Sequence, residues 1–532
     1  MNDPTGANGA TLDVARRPGV HLLQPKAVGL IGVLFLTLTG SAPITAMLLN
    51  VPIVVGNGNG LGAPAAFFVA TVILVVFSVG YAAMARKVTA TGGFYSFISH
   101  GIGQEAGMAM GFAAVLAYSV FEPSLTGGFA YFLNLKISQL FGVNVPWPLL
   151  ALAMVAGIAV LAHYDIKLSA KVLGVALIAE VICLIIFDLG VFAHAGRGAI
   201  VQLSALDPTR AFQGFPKVGK LTEGLAGIGL FFAFWSWVGF EMAPNYAEES
   251  RDPKRIVPLS LYISVVALGV LYTLTCWAAQ SGFPTIGNAI NEAQNNSATF
   301  FFGTATRLIG PWLAVLMSYL ILTGSFACGM AFHNTAARYF YSLGRERLLP
   351  ASFGRTHPKY KTPSSASLAQ SVVSAVIIIL FALFAGANDP NTQAYGELYG
   401  LMALLGTILI LAAQAIVSIA IIRYFRTEQP DDHHWWRTLI APALAFIAQA
   451  YVIYLCIDNL AFVGGGFAFA AWIPWIDLAV VAFGILAAFA LKRSDPARFS
   501  EIGRLIYEGL PGEPETTGEE APRLAFGGRV GH

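Results

Sequence analysis

Long apolar runs follow one another along almost the whole chain, separated by short polar segments. A helix needs about 20 apolar residues to cross the roughly 30 Å hydrocarbon core of a bilayer, and twelve runs of this kind can be marked off. They lie at residues 27–49, 64–85, 106–135, 147–163, 168–193, 223–245, 257–280, 311–341, 365–386, 396–422, 438–457 and 468–491. The pattern predicts an all-α integral membrane protein with twelve transmembrane helices.

Composition supports this prediction and removes the main alternative. Of the 532 residues, 56% are hydrophobic and 11% are charged, and the mean hydropathy is +0.67. Soluble domains carry about 25% charged residues, so a single water-soluble domain is excluded and the lipid bilayer is the expected environment. The net charge of +2 gives no reason to expect a nucleic-acid partner.

The sequence carries no pattern that predicts an enzyme. It contains no HExxH zinc motif, no GxSxG nucleophile elbow and no GxxxxGK[ST] phosphate loop, and no soluble domain that could host chemistry. The four cysteines all lie inside apolar runs without metal-ligand spacing, which favours buried free thiols. We therefore expect no catalytic residue, no metal and no cofactor.

Basic residues orient the predicted helices, because cytoplasmic loops hold the excess of Lys and Arg. With the N-terminus inside, 25 of the 31 basic residues fall on the inner side and six on the outer side. Both termini are therefore predicted to be cytoplasmic, in a multi-pass protein of the cell membrane. Residues 1–26 and 492–532 form cytoplasmic tails, and the second, rich in Pro, Gly and Glu, is expected to be disordered.

Two of the twelve spans are interrupted in the same way. The first reads LTLTGSAPITAML (36–48) and the sixth reads FWSWVGFEMAP (234–244). A Pro inside a helix removes a hydrogen bond, and in lipid the freed backbone groups need partners from protein, water or a ligand. A simple kink is the alternative, since Gly and Pro are frequent in membrane helices.

The positions of the two interruptions, in spans one and six, indicate a five-helix unit that is repeated. Interrupted helices at corresponding positions of two halves indicate a transporter site near the bilayer midplane. The N-termini of half-helices offer N–H groups to an anion, and unwound carbonyl groups receive a cation. A zwitterion such as an amino acid matches both.

Four stretches resemble the signature regions of the amino acid, polyamine and organocation (APC) superfamily of transporters. They are GSAPITAM in the first span, TATGGFYSFISHGIG (89–103), FWSWVGFEMAPNYAEESRDPKRIVP (234–258) and AARYFYSLGRERLLP (336–350). The resemblance implies the LeuT-like fold: an inverted repeat of residues 27–193 and 194–422, followed by two peripheral helices in 423–491. It also implies a secondary transporter, without ATP, working by proton coupling or by exchange.

The same resemblance implies a substrate site. The substrate carboxylate would meet backbone N–H groups at Ser41 and Ala42, and its ammonium would meet carbonyl groups near Thr37, Leu38, Trp235 and Val238. Trp235 lies where relatives place an aromatic gate, and Gly40 and Gly239 permit the breaks. The sequence departs from the family pattern at Pro43, which removes one N–H donor from the turn.

Acidic residues inside membrane spans are costly and are functional candidates by default. Glu241 lies where relatives carry an acid involved in proton-linked opening, and Glu180 lies where many proton-coupled relatives carry a Lys. Both are candidates for proton coupling, and a structural hydrogen bond is the alternative for each. Glu122, just before Pro123, could contact the distal amine of a cationic substrate or only satisfy the Pro kink.

Charged residues of the inner loops could form pairs that hold one conformational state. The candidates are the segment Thr91 to Tyr95 and the run Glu248, Glu249, Arg251, Lys254 and Arg255; the alternative is an ordinary solvated loop. We expect the protein to import an amino acid or small organic amine by alternating access, with protons as the coupling ion. The alternatives are an exchanger, or a potassium transporter of the same superfamily.

Overall fold

The structure is a computed structural model that describes residues 12–13, 23, 26–90, 92–163, 166–217, 219, 221–503 and 505–506. Most of the two predicted tails, 1–26 and 492–532, and Thr91 of the inner loop lie outside these residues. Within the described part of the chain, the prediction of an all-α fold is confirmed. The described strands are one parallel pair of two residues each, Leu12–Asp13 and Leu505–Ile506.

Eighteen α-helices make up most of the described chain. In chain order, α1 to α18 are Leu30–Gly40, Pro43–Ile53, Ala63–Ala85, Phe94–Gly101, Gln104–Phe141, Trp147–His163, Ile166–Ala193, Ala226–Trp235, Pro253–Ser281, Ile286–Asn295, Phe300–Leu308, Pro311–Arg345, Ser364–Phe384, Gly400–Thr427, Ala441–Asp458, Leu460–Val463, Ile473–Ser494 and Pro496–Glu501. Two other helical segments contribute to the site. The 3-10 helix Phe240–Glu249 follows α8, and the π-helix Thr392–Tyr399 directly precedes α14.

Eleven helical segments of the described chain are long and apolar enough to cross a membrane. They are Leu30–Gly58, Gly60–Ala85, Gln104–Phe141, Gly174–Ala193, Ala226–Glu249, Pro253–Ser281, Pro311–Arg345, Ser364–Phe384, Thr392–Thr427, Trp435–Asp458 and Ala468–Ser494. The remaining predicted span, 147–163, forms the apolar helix α6, which has only 17 residues. The twelfth crossing, and the division into 27–193, 194–422 and 423–491, stay predictions.

The exposed side chains of α13 show how the bundle meets its surroundings. Leu368, Val372, Val376 and Leu383 are 48–69% exposed, and their spacings of four, four and seven residues place them on one face of the helix. A broad apolar face of this kind is unfavourable in water and is ordinary against lipid. By contrast, the middle of α5 is almost entirely buried, so α5 lies at the centre of the bundle.

Candidate functional site

The first helix break lies between α1 and α2, at Ser41 and Ala42. Ala42 has φ +38° and ψ 76°, a left-handed conformation that L-residues rarely adopt. The turn is closed by its own hydrogen bonds, since the Ser41 and Ala42 N–H groups donate to the carbonyls of Leu38 and Thr39, each at 3.1 Å. The N–H groups predicted to receive a substrate carboxylate are therefore bonded to the protein in this conformation.

Two further hydrogen bonds hold Ser41 in place from other helices. Its carbonyl accepts from the hydroxyl of Tyr272 on α9 at 2.7 Å, and its hydroxyl donates to the carbonyl of Trp237 at 3.3 Å. Tyr272 and Trp237 are both fully buried and their rings pack edge to face. The first break is thus connected directly to the residues of the second.

The second break separates α8, which ends at Trp235, from the 3-10 helix that begins at Phe240. Gly239 has φ +124°, which only glycine adopts without strain. A Cβ atom at Gly239 would lie 2.5 Å from the carbonyl carbon of Gly40. The two breaks therefore touch backbone to backbone, and the absence of a side chain at Gly239 allows this.

A narrow cavity lies between the two breaks. Its volume is about 20 Å³, which is room for about one water molecule. The predicted site residues that line it are Gly40, Ser41, Ala42, Trp235 and Val238. It is also lined by residues that sequence reasoning missed, notably Asn50, Cys328, Phe332 and Tyr399. A substrate of several heavy atoms requires the half-helices to move apart.

Three of the predicted site residues lie at the breaks without lining this cavity. The Thr37 hydroxyl donates within α1 to the carbonyl of Val33 at 2.9 Å. The carbonyl of Leu38 accepts the Ser41 N–H, and Gly239 lies against Gly40. In this conformation their direct contact with a substrate stays a prediction.

Trp235 lies at the boundary of the cavity, in an aromatic and polar cluster. Its indole N–H donates to the Tyr399 hydroxyl at 3.0 Å, and that hydroxyl donates to Oδ1 of Asn50 at 2.9 Å. Its ring is parallel to that of Phe332, with centroids 6.3 Å apart. Tyr399 also lines a second cavity towards the predicted extracellular side, together with Phe232. Tyr399, to which Trp235 is bonded, therefore lies between the two cavities.

Glu180 reaches the first break from α7. Its Oε2 accepts the backbone N–H of Ile44, the second residue of α2, at 3.2 Å. The side chain is 1% exposed, and its Oε1 has no hydrogen-bond partner among the described residues. A carboxylate at this end of a helix interacts favourably with the helix dipole.

Glu241 occupies a similar place at the second break. Its Oε2 accepts the Gly239 N–H at 2.9 Å, and its Oε1 accepts the Tyr118 hydroxyl of α5 at 2.8 Å. Each broken helix thus has a buried carboxylate bonded to an N–H group where its second half begins. The sequence indicated both acids, but their common placement depends on contacts between distant helices.

Glu122 lies in a different environment from the cavity. Its Oε2 is bonded to Nδ1 of His333 at 3.0 Å, and accepts from the Gln370 amide and the Ser374 hydroxyl, each at 2.8 Å. Nε2 of His333 is bonded in turn to Ser367. The cluster joins α5, α12 and α13, which is consistent with the structural alternative; a substrate contact of Glu122 stays a prediction.

Two buried ion pairs join the 3-10 helix to the predicted cytoplasmic end of α12. Glu249 pairs with Arg338 at 2.7 Å and Glu248 with Arg345 at 2.8 Å, and all four side chains are at most 5% exposed. These two acids belong to the run predicted to form charge pairs. Arg251, Lys254 and Arg255, the other members, take part in no ion pair among the residues that the structure describes.

Cys328 contacts the cavity, which the sequence did not predict. All four cysteines are buried and free, as predicted, but the thiol of Cys328 lines the cavity and donates to the carbonyl of Gly40 at 3.1 Å. Nothing in its local sequence separates it from the other three. Asn50 directly follows the predicted span 27–49, whereas the structure places it inside α2.

Comparisons with known proteins agree with this architecture. Residues 28–486 match the family model described as "Amino acid permease". The chain is 24% identical to the "Low-affinity putrescine importer PlaP" of Escherichia coli (strain K12) over 64% of this chain and 71% of that protein. It is 22% identical to the "Branched-chain amino acid permease BcaP" of Bacillus subtilis (strain 168), over 86% and 91% of the two chains.

Proposed function

Because this chain belongs to the amino acid permease family, we propose that it is a secondary transporter that imports an amino acid or small organic amine by alternating access. The observation that carries the proposal is the cavity between two helix breaks that touch at Gly40 and Gly239. Broken helices that meet at a small cavity can open it to one side or the other by moving their halves. One similar protein is named a putrescine importer and another a branched-chain amino acid permease.

We place the protein in the cell membrane with both termini in the cytoplasm.

We assign proton coupling to Glu241 and Glu180. Both carboxyl groups are buried and bonded to N–H groups at the breaks. Protonation would weaken these bonds, because a charged acceptor binds an N–H group more strongly than a neutral one. Uptake of a proton would thereby loosen the second half of each broken helix.

Uptake into proteoliposomes tests the proposal. A labelled amino acid or amine should accumulate when an inward proton gradient is imposed, and an uncoupler should abolish the accumulation. Uptake that requires a counter-substrate inside the vesicle, and no gradient, would identify an exchanger. Potassium flux without uptake of any organic solute would overturn the proposal.

Replacing Trp235 should weaken substrate binding. Trp235→Ala removes an aromatic face beside the cavity, and a cation over such a face is stabilised by about 0.5–2 kcal/mol. We expect the KM for uptake to rise by about two-fold to thirty-fold. Trp235→Phe is the matched control, since it keeps an aromatic ring and loses the indole N–H bonded to Tyr399 together with part of the ring area; its KM should rise less.

Replacing Glu241 should change the pH dependence of uptake. Glu241→Gln keeps a side-chain oxygen that can accept the Gly239 N–H but cannot take up a proton in the same range. We expect uptake to become nearly independent of external pH, whereas the wild type is stimulated by acid. Tyr118→Phe, which removes the neighbouring hydroxyl, should shift the pH profile and preserve it. An unchanged profile in Glu241→Gln would show that another group carries the proton.

A further inference from the structure

The N-terminal end of α2 already carries a carboxylate of the protein. Of its first backbone groups, the Ala42 N–H is bonded to Thr39, Pro43 has no N–H, and the Ile44 N–H is bonded to Glu180. An N-terminal helix end is the usual place for an anionic ligand group. Here Glu180 occupies that place.

Glu180 is also a buried acid that has no basic partner among the residues that the structure describes. It takes part in none of the ion pairs found in the described chain, and its Oε1 has no donor there. A Cβ atom at Gly324 of α12 would lie 2.8 Å from this Oε1 and 2.9 Å from Oγ1 of Thr45, so the carboxylate is packed beside a residue that lines the cavity. A buried carboxyl group either takes up a proton or pairs with a positive charge.

We propose that the substrate is an organic amine without a carboxylate, and that Glu180 replaces the substrate carboxylate at the first break. This inference rests on the proposed function and narrows its substrate class. A ligand carboxylate at the first break meets the like charge of an ionised Glu180, and the Ala42 and Ile44 N–H groups there are already bonded. When Glu180 is ionised, a ligand ammonium at the first break meets this carboxylate, the backbone carbonyls of the breaks and the face of Trp235.

Matched pairs that differ only by a carboxylate test the inference on the wild-type protein. Suitable pairs are putrescine and ornithine, cadaverine and lysine, and isobutylamine and valine. We expect thermal stabilisation and proteoliposome uptake with at least one amine, and a Kd at least tenfold weaker for its carboxylated partner. Equal or tighter binding of the amino acid would overturn the inference and leave the proposed function standing. Failure of both members of every pair would overturn the proposed function as well.

The variant Glu180→Gln separates the role of this carboxylate from general amine selectivity. Its side-chain oxygen can still accept the Ile44 N–H, but the charge is gone, so amine affinity should fall at least tenfold and the preference over the amino acid should shrink. Asp188→Asn is the matched control: Asp188 is a buried acid on the same helix, bonded to Thr275, and the preference should be unchanged. An unaltered preference in a folded Glu180→Gln protein would overturn the inference.

Discussion

Replacing Gly239 with alanine should abolish uptake while the protein remains in the membrane. The new Cβ would lie 2.5 Å from the carbonyl carbon and 2.9 Å from the carbonyl oxygen of Gly40, and backbone atoms cannot yield as a flexible side chain can. The backbone at φ +124° adds a strain of about 1–3 kcal/mol for a non-glycine residue. The two breaks must therefore separate, and the cavity between them changes shape. Uptake of the substrate by proteoliposomes is the measurement.

Gly303→Ala is the matched control for this variant. Gly303 lies inside α11, where no atom comes within 4 Å of an added Cβ, and alanine in a helix is more favourable than glycine by about 1 kcal/mol. Its uptake and thermal stability should equal or exceed those of the wild type. If Gly239→Ala transports as well as Gly303→Ala, the contact between the breaks has no part in transport.

Removing Arg338 should cost far more stability than removing an exposed charge at the predicted inner side. Its guanidinium donates to Glu249 through Nε at 2.8 Å, pairs with it through Nη2 at 2.7 Å, and lies 4.4 Å from the ring centre of Tyr246. Arg338→Met removes the guanidinium that pairs with the buried Glu249, and breaking a buried pair by removing one partner costs about 3–5 kcal/mol. Thermal denaturation of the purified protein should show the loss as a markedly lower Tm.

Two further variants show whether the broken ion pair is the cause. In the double variant Arg338→Met, Glu249→Gln, the charge that the guanidinium compensated is removed as well, so part of the lost stability should return. Lys492→Met breaks an ion pair of similar length, 2.7 Å to Glu105, but Lys492 is 52% exposed; such surface pairs contribute about 0–1 kcal/mol. Equal Tm shifts for Arg338→Met and Lys492→Met would contradict the prediction.

The helix breaks could be located from the sequence because their causes are local. Gly239 frees the backbone at its own position and Pro43 restricts it. Both breaks lie at these residues, as the sequence indicated. The apolar runs also have a local cause, and each of the twelve overlaps one or two helical segments of the structure. The helix α6 has the 17 residues of its predicted run, fewer than the about 20 that a crossing needs, so its crossing stays a prediction.

The partners of the buried acids could not be predicted, because they come from distant parts of the chain. Glu180 bonds to Ile44 across 136 residues, and Glu122 bonds to His333 across 211. Both acids were singled out by their presence in apolar spans. Which of them lies beside the cavity depends on helix rotation and packing, on which a single sequence gives little information. The same holds for Cys328, which only the fold distinguishes from the other buried thiols.

The hydrogen bonds around Ser41 have a consequence for the free energy of binding. Since Tyr272, Trp237 and Leu38 already bond to this residue, the unwound turn exists before any ligand arrives. Fixing the backbone of one residue costs about 1–2 kcal/mol, and a very small ligand contributes at most about 1.5 kcal/mol for each non-hydrogen atom. A solute of a few atoms could not unwind a membrane helix and still bind well. The protein meets this cost when it folds, so even a small solute can be held.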